Sequence, residues 1–205
     1  MEYLEQAKKE IRERWFENHI IKNIEGEEGF QRISWGEKGT RMYQVDYVLS
    51  GNMVFVTGDL GDAAYSLTCK ATLDNIKYFD LSYFTGKLTT HERERWDFDE
   101  KLAMEQIEEY FLDWCDVDET SNLDDDDKRL FDELISATAE WSNHSHFENM
   151  GVWTAYNNTS VDWFDTEAAS CIADCGKRLN RCFVAYWLGL QMIIEQLEGQ
   201  KEKSA

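Results

Sequence analysis

Residues 49–68 read LSGNMVFVTGDLGDAAYSLT. Gly51-Asn52 has the size and type of a two-residue hairpin loop. Met53–Thr57 is apolar on both faces, the pattern of a central strand covered on each side. Gly58-Asp59-Leu60-Gly61 then makes a tight second turn, and a further strand, Ala63–Cys69, leaves it. Working back towards the N-terminus, Tyr43, Val45, Tyr47 and Leu49 alternate with Gln44 and Asp46, the period of a half-buried strand. Phe30–Trp35 supplies one more strand before the turn Gly36–Gly39. These segments predict a small antiparallel sheet of about four strands.

The flanks read as helical. Leu4, Ala7, Ile11, Trp15 and Ile20–Ile21 recur near helical spacing, which predicts an amphipathic helix over 2–24. Leu73–Thr85 is expected to pack on the sheet as one helix closed by Gly86. Asp97 or Asp99 caps a helix with Leu102, Ile107, Tyr110–Phe111 and Trp114 on its apolar side. Another runs from about Asp126 to Trp141. Thr166–Leu197 reads as two helices broken at Gly176, with 196–205 as a polar tail. The expected class is α+β: the sheet packed with helices, plus an acidic helical region. The boundaries read 1–88 for the N-terminal helix, sheet and packing helix, 89–150 for the acidic region, and 151–205 for C-terminal helices returning to the core, all in one compact unit.

Composition excludes several classes. The chain of 205 residues is 42% hydrophobic, with eight Trp, nine Tyr and eleven Phe, enough to bury a core. No apolar run approaches the roughly 20 residues of a membrane-spanning helix. The start Met-Glu-Tyr-Leu-Glu lacks the basic region of a secretory signal. Five unevenly spaced cysteines make no disulfide framework, which points to a reducing, cytoplasmic setting. The net charge of −20 argues against direct nucleic-acid binding, because phosphate contacts need Lys and Arg, and towards a basic partner.

Candidate chemistry is sparse. Asp59 and Asp62, in the glycine-flanked turn, could meet a metal or a partner's arginine; alternatively they bond the turn's own amides. His144, His146 and Glu148 form the one histidine cluster, without the helical spacing of a metal motif. Cys171, Cys175 and Cys182 would share a helix face only if the helix ran past Gly176, and they lack the usual zinc spacing. Asp116–Asp127, DVDETSNLDDDD, places oxygen donors at positions 1, 3, 5, 9 and 12 of a calcium-type loop. It has Ser121 where the turn wants glycine and Asp127 in place of glutamate. The other reading of that loop is an acidic linker that caps the next helix. No phosphate-binding loop or nucleophile motif is present, so no catalytic residue, metal or cofactor is assigned.

The largest feature is charge. Between Leu88 and Met150 there are 20 acids and five bases. Solvated helix faces mix signs, and unmixed charge repels itself. Carboxylates at Glu105, Glu108, Glu109, Asp113, Asp116, Asp118, Asp124, Asp125, Asp126 and Asp127 are therefore the expected partner-binding set, with Asp59 and Asp62 as a secondary turn.

The run Tyr43–Thr68, with the aromatic segment Tyr78–Leu88, resembles a family of small phage and mobile-element proteins of Firmicutes. Their shared stretch reads Ser-Gly-Asp-Leu-Gly-Glu-Ala-Val-Tyr; this chain has Thr57 for the Ser, Asp62 for the Glu and Ala64 for the Val. The resemblance implies a phage accessory protein, a class that includes anti-CRISPR and other anti-defence inhibitors. It brings no catalytic residues, and residues 90–205 lie outside it. The resulting expectation is a non-enzymatic inhibitor in the host cytoplasm. It binds a basic defence protein, a CRISPR effector such as Cas9, through an acidic surface that imitates nucleic acid. The alternatives are a metal-dependent enzyme or calcium-binding regulator using Asp59/Asp62 or Asp116–Asp127, and a phage structural protein whose acidity has no binding role.

Overall fold

The computed structural model describes residues 2–27, 29–140 and 143–204. It is an α+β protein whose chain forms two compact units, 1–95 with 180–205, and 96–179. The acidic unit therefore extends to residue 179, beyond the 150 expected from sequence, and only the last 26 residues return to the sheet unit. Its ends leave and re-enter side by side: Asn180 N donates to Arg95 O at 3.0 Å.

In the first unit, α1 (Glu2–Glu10) continues through a widened turn, Ile11–Trp15, closed by Phe16 N bonding Ile11 O. The expected helix over 2–24 stops there. Ile20–Glu27 is instead strand β1, paired along its length with β2 (Phe30–Gly36). Its isoleucines favour the pleated surface once a partner strand is present. Next come β3 (Val45–Ser50), β4 (Met53–Gly58), β5 (Ala63–Ser66) and β6 (Leu88–His91). The order β1-β2-β3-β4-β5-β6 is an antiparallel meander. The four strands read from sequence are its middle, and β1 and β6 are its edges.

The turn after β4 has a steric basis. Gly58 has φ +142, and a β-carbon there would run into the carbonyl of Gln44. The segment expected as one packing helix is two, α2 (Leu73–Ile76) and α3 (Leu81–Gly86). Thr72 caps the first, and Asp80 caps the second by accepting from Tyr83 N at 2.7 Å.

Ile33, Trp35, Val45, Tyr47, Leu49, Val54, Val56 and Tyr65 are buried, and on the central strands they alternate with more exposed neighbours. The last helix, Arg181–Ser204, ties this core together. Tyr186 Oη donates to Leu60 O at 2.8 Å, Trp187 Nε1 to Phe79 O at 2.8 Å, and Gln191 Nε2 to Ile76 O at 3.1 Å. Gln196 Oε1 accepts from Ile21 N at 2.9 Å, and Arg12 makes a two-pronged pair with Glu195. The expected polar tail is thus helical through Ser204, because its first turn still faces the sheet. Phe55 is 44% exposed on β4, so that strand is central but open on one face.

The second unit begins with β7 (Trp96–Phe98), which pairs with β8 (Lys177–Leu179). Between them lie α4 (Glu100–Trp114), α5 (Asp125–Glu140), α6 (His144–His146), α7 (Trp153–Asn158) and α8 (Thr166–Ala173); the last helix of the chain is α9. The unit has its own core, including Ile107, Phe111, Leu130, Leu134, Phe147 and Ile172. Trp141, expected at the end of α5, lies outside the described residues. Among the described residues no helix is long and apolar enough to cross a membrane.

Candidate functional site

Charge follows the division into units. Residues 96–179 hold 22 acids and five bases, net −17, whereas the remainder is close to balanced at −3. Within that unit α4 carries five exposed acids, Glu100, Glu105, Glu108, Glu109 and Asp113. Asp99 caps it, accepting from Leu102 N at 2.7 Å, and pairs with Arg178 at 2.6 Å. Ala103, Ile107 and Phe111 recur every four residues and are fully buried. That burial turns Glu105, Glu109 and Asp113 outward, about 6 Å apart along the axis, with Glu108 beside them. Phosphates advance about 3.4 Å per strand along a duplex, so this row of like charges is more widely spaced than a nucleic-acid backbone.

Lys101 sits 3.3 Å from Glu105. Glu108, Glu109 and Asp113 have no ion-pair partner among the described residues. Asp113 also occupies the last turn, which contains no base, where the helix dipole disfavours a carboxylate. Local stability therefore does not account for these three acids.

The aspartates of 116–127 divide into two kinds. Asp124 is the cap of α5, its Oδ1 accepting from Asp126 N at 3.0 Å and Asp127 N at 2.9 Å. Asp125, Asp126 and Asp127 lie in the first turn, where the dipole favours them, and Asp126 pairs with Arg129 at 2.7 Å. Asp127 accepts from Trp163 Nε1 at 2.8 Å and from Cys115 Sγ. Asp116, at φ +52, and Asp118 are exposed in the connecting loop. The capping reading of this loop is thus realised. Among the described residues no three His, Cys, Asp or Glu side chains gather around a cation-sized space, at this loop or elsewhere.

The remaining sequence candidates are held by local structure. Asp59 Oδ2 accepts from Tyr43 N at 2.8 Å, so it braces the loop before β3 rather than its own turn. Asp62 O accepts from Glu92 N at 2.9 Å, and Asp62 N donates to the Glu92 carboxylate at 3.3 Å, beside β6. His144 is buried with Nε2 2.7 Å from Ala173 O and Nδ1 3.8 Å from Glu148, while His146 turns to Asn143, so the structure brings together two of the three cluster residues and not the third. Burial lowers the His144 pKa, with Lys177 adding to the effect. Cys171 and Cys175 lie on either side of the end of α8, and the strand Lys177–Leu179 separates them from Cys182. Burial pushes the Cys175 thiol up to about 12. Burial followed by the Asp127 carboxylate does the same for Cys115. Neither thiol is a nucleophile at neutral pH.

Sequence reasoning left one group out. Tyr110 and Trp114 of α4, assigned to its apolar stripe, are only half-buried and stack at 4.7 Å. Trp114 meets Trp163 at 5.5 Å. The flanking acids in Asp162-Trp163-Phe164-Asp165 were the available signal.

No family model, curated protein or solved structure matches this chain.

Proposed function

We propose that the protein is a non-enzymatic inhibitor whose acidic unit, residues 96–179, binds a basic nucleic-acid-binding protein and occupies the surface that otherwise holds phosphates. The observation that carries this reading is the net −17 confined to one unit, with Glu108, Glu109 and Asp113 left without bases beside them. Self-repulsion of that size is relieved by a cationic partner, and such a charge speeds association with one. The resemblance of residues 43–68 to phage accessory proteins suggests a bacterial defence protein as the target, such as a CRISPR effector.

The test is capture from bacterial lysate at low and high salt, beside a Glu108→Gln/Glu109→Gln/Asp113→Asn variant. A nucleic-acid-binding defence protein retained at low salt, and lost with either change, supports the proposal. Retention that ignores both salt and substitution overturns it.

A further inference from the structure

We propose that the seam between α4 and α8 is a guanidinium-binding site, in which arginine side chains of the partner stack on Tyr110, Trp114 and Trp163 while flanking carboxylates take their in-plane hydrogens. This deepens, and rests on, the reading of the acidic unit as the surface for a basic partner.

One notch lies between α4 and α8, and a second lies on α4 itself, linked to the first by the stacked pair Tyr110 and Trp114. The first, of about 340 Å³, is lined by Trp114, Trp163, Glu167 and Cys171. The second, of about 360 Å³, is lined by Gln106, Glu109, Tyr110 and Asp113. Tyr110 lies nearly parallel to Trp114, at 22°, whereas Trp163 is inclined to Trp114 at 57°. The indoles thus pack against each other as a corner and the phenol stacks on it, while Trp163 also meets Phe111 at 5.2 Å and Phe164 at 5.7 Å, so a guanidinium has the outer, half-buried ring faces to stack on.

The corner is preorganised. Trp163 is fixed by its Nε1–H bond to Asp127. The start of α8 is fixed by Asp165, whose Oδ1 accepts from Glu167 N at 2.8 Å and Ala168 N at 2.9 Å. At the rims Glu109, Asp113 and Glu167 are exposed and make no ion pair among the described residues.

Aromatic faces bind cations through their quadrupole, indole best of all. Guanidinium fits this pairing better than ammonium. It is planar and weakly hydrated, so it stacks on a ring and donates to a carboxylate at once. An acidic surface alone attracts lysine and arginine alike; rings interleaved with acids discriminate between them.

The experiment titrates the full chain with nona-arginine and with nona-lysine at physiological salt, followed by calorimetry and tryptophan fluorescence. Nona-arginine is expected to bind at least about fivefold more tightly. Trp114→Leu should reduce that preference while leaving nona-lysine affinity nearly unchanged, and Glu167→Gln should weaken nona-arginine more than nona-lysine, with circular dichroism confirming the native fold. In the unsubstituted protein, N-acetyl-arginine amide should shift the indole N–H resonances of Trp114 and Trp163. Equal affinity for the two peptides, a preference that survives Trp114→Leu, or unmoved indole resonances overturns the site. Salt-sensitive binding of both peptides without preference removes only this site. Binding of neither removes the acidic-surface reading as well.

Discussion

The phenol oxygen of Tyr47 on β3 occupies the space that a β-carbon on Gly189 of α9 would need, and it donates its proton to Tyr186 O at 2.9 Å. Helix and strand therefore approach as closely as they do because residue 189 has no side chain. Tyr47 is fully buried and its ring has no room to swing away. Gly189→Ala should cost about 1–3 kcal/mol by overpacking, and Tyr47→Phe about 1 kcal/mol for the lost bond. The double variant should lose less than the sum, because removing the hydroxyl makes room for the methyl. Urea denaturation of the four proteins checks this; strict additivity contradicts the steric account.

Neutralising Glu108, Glu109 and Asp113 together should leave the fold at least as stable as before. No base pairs with them among the described residues, and Asp113 opposes the dipole of α4. The expected result is an unchanged or higher thermal midpoint alongside weaker, less salt-sensitive partner binding. A lower midpoint would show that these acids serve the fold.

Asp124 should behave oppositely. Its carboxylate satisfies two amides at the start of α5, and Asp124→Ala should cost about 1 kcal/mol. Asp125→Asn, in the same acidic run but without a capping bond, should cost much less. Thermal denaturation of the pair separates capping from mere charge.

Two buried histidines set an acid limit. Burial is the leading cause that lowers the pKa of both His19 and His144; the Tyr43 carbonyl opposes it for His19, and the Ala173 carbonyl does so for His144. Between the lowered folded-state values and the ordinary 6.5, the unfolded chain binds more protons. Stability should therefore be full above about pH 6.5 and decline as pH falls below it. Urea midpoints at pH 7.5 and 5.5 measure the decline. His144→Gln should reduce it, and a flat profile would exclude both residues as its source.

The sequence by itself determined the middle of the sheet, because period-two alternation and the glycine turns at 51–52 and 58–61 are local chemistry. It also determined the break at Gly176 and the acidity of 88–150, and it narrowed the cap of α4 to Asp97 or Asp99, from which the structure takes Asp99, as it takes Asp124 for α5. Tertiary structure decided the edges. Ile20, Ile21 and Ile24 suit a helix or a strand by spacing, and pairing with β2 made them a strand. Thr89 and Thr90 became an edge beside β5 for the same reason. Tertiary structure also sorted the acids: equal in the sequence, some cap α5 or hold Trp163, while Glu108, Glu109 and Asp113 are left in solvent. The corner of Trp114 and Trp163 joins residues 49 apart in the chain, and only packing on a shared core brings such rings together. Local periodicity reports what one element hides; it is silent on which neighbour does the hiding.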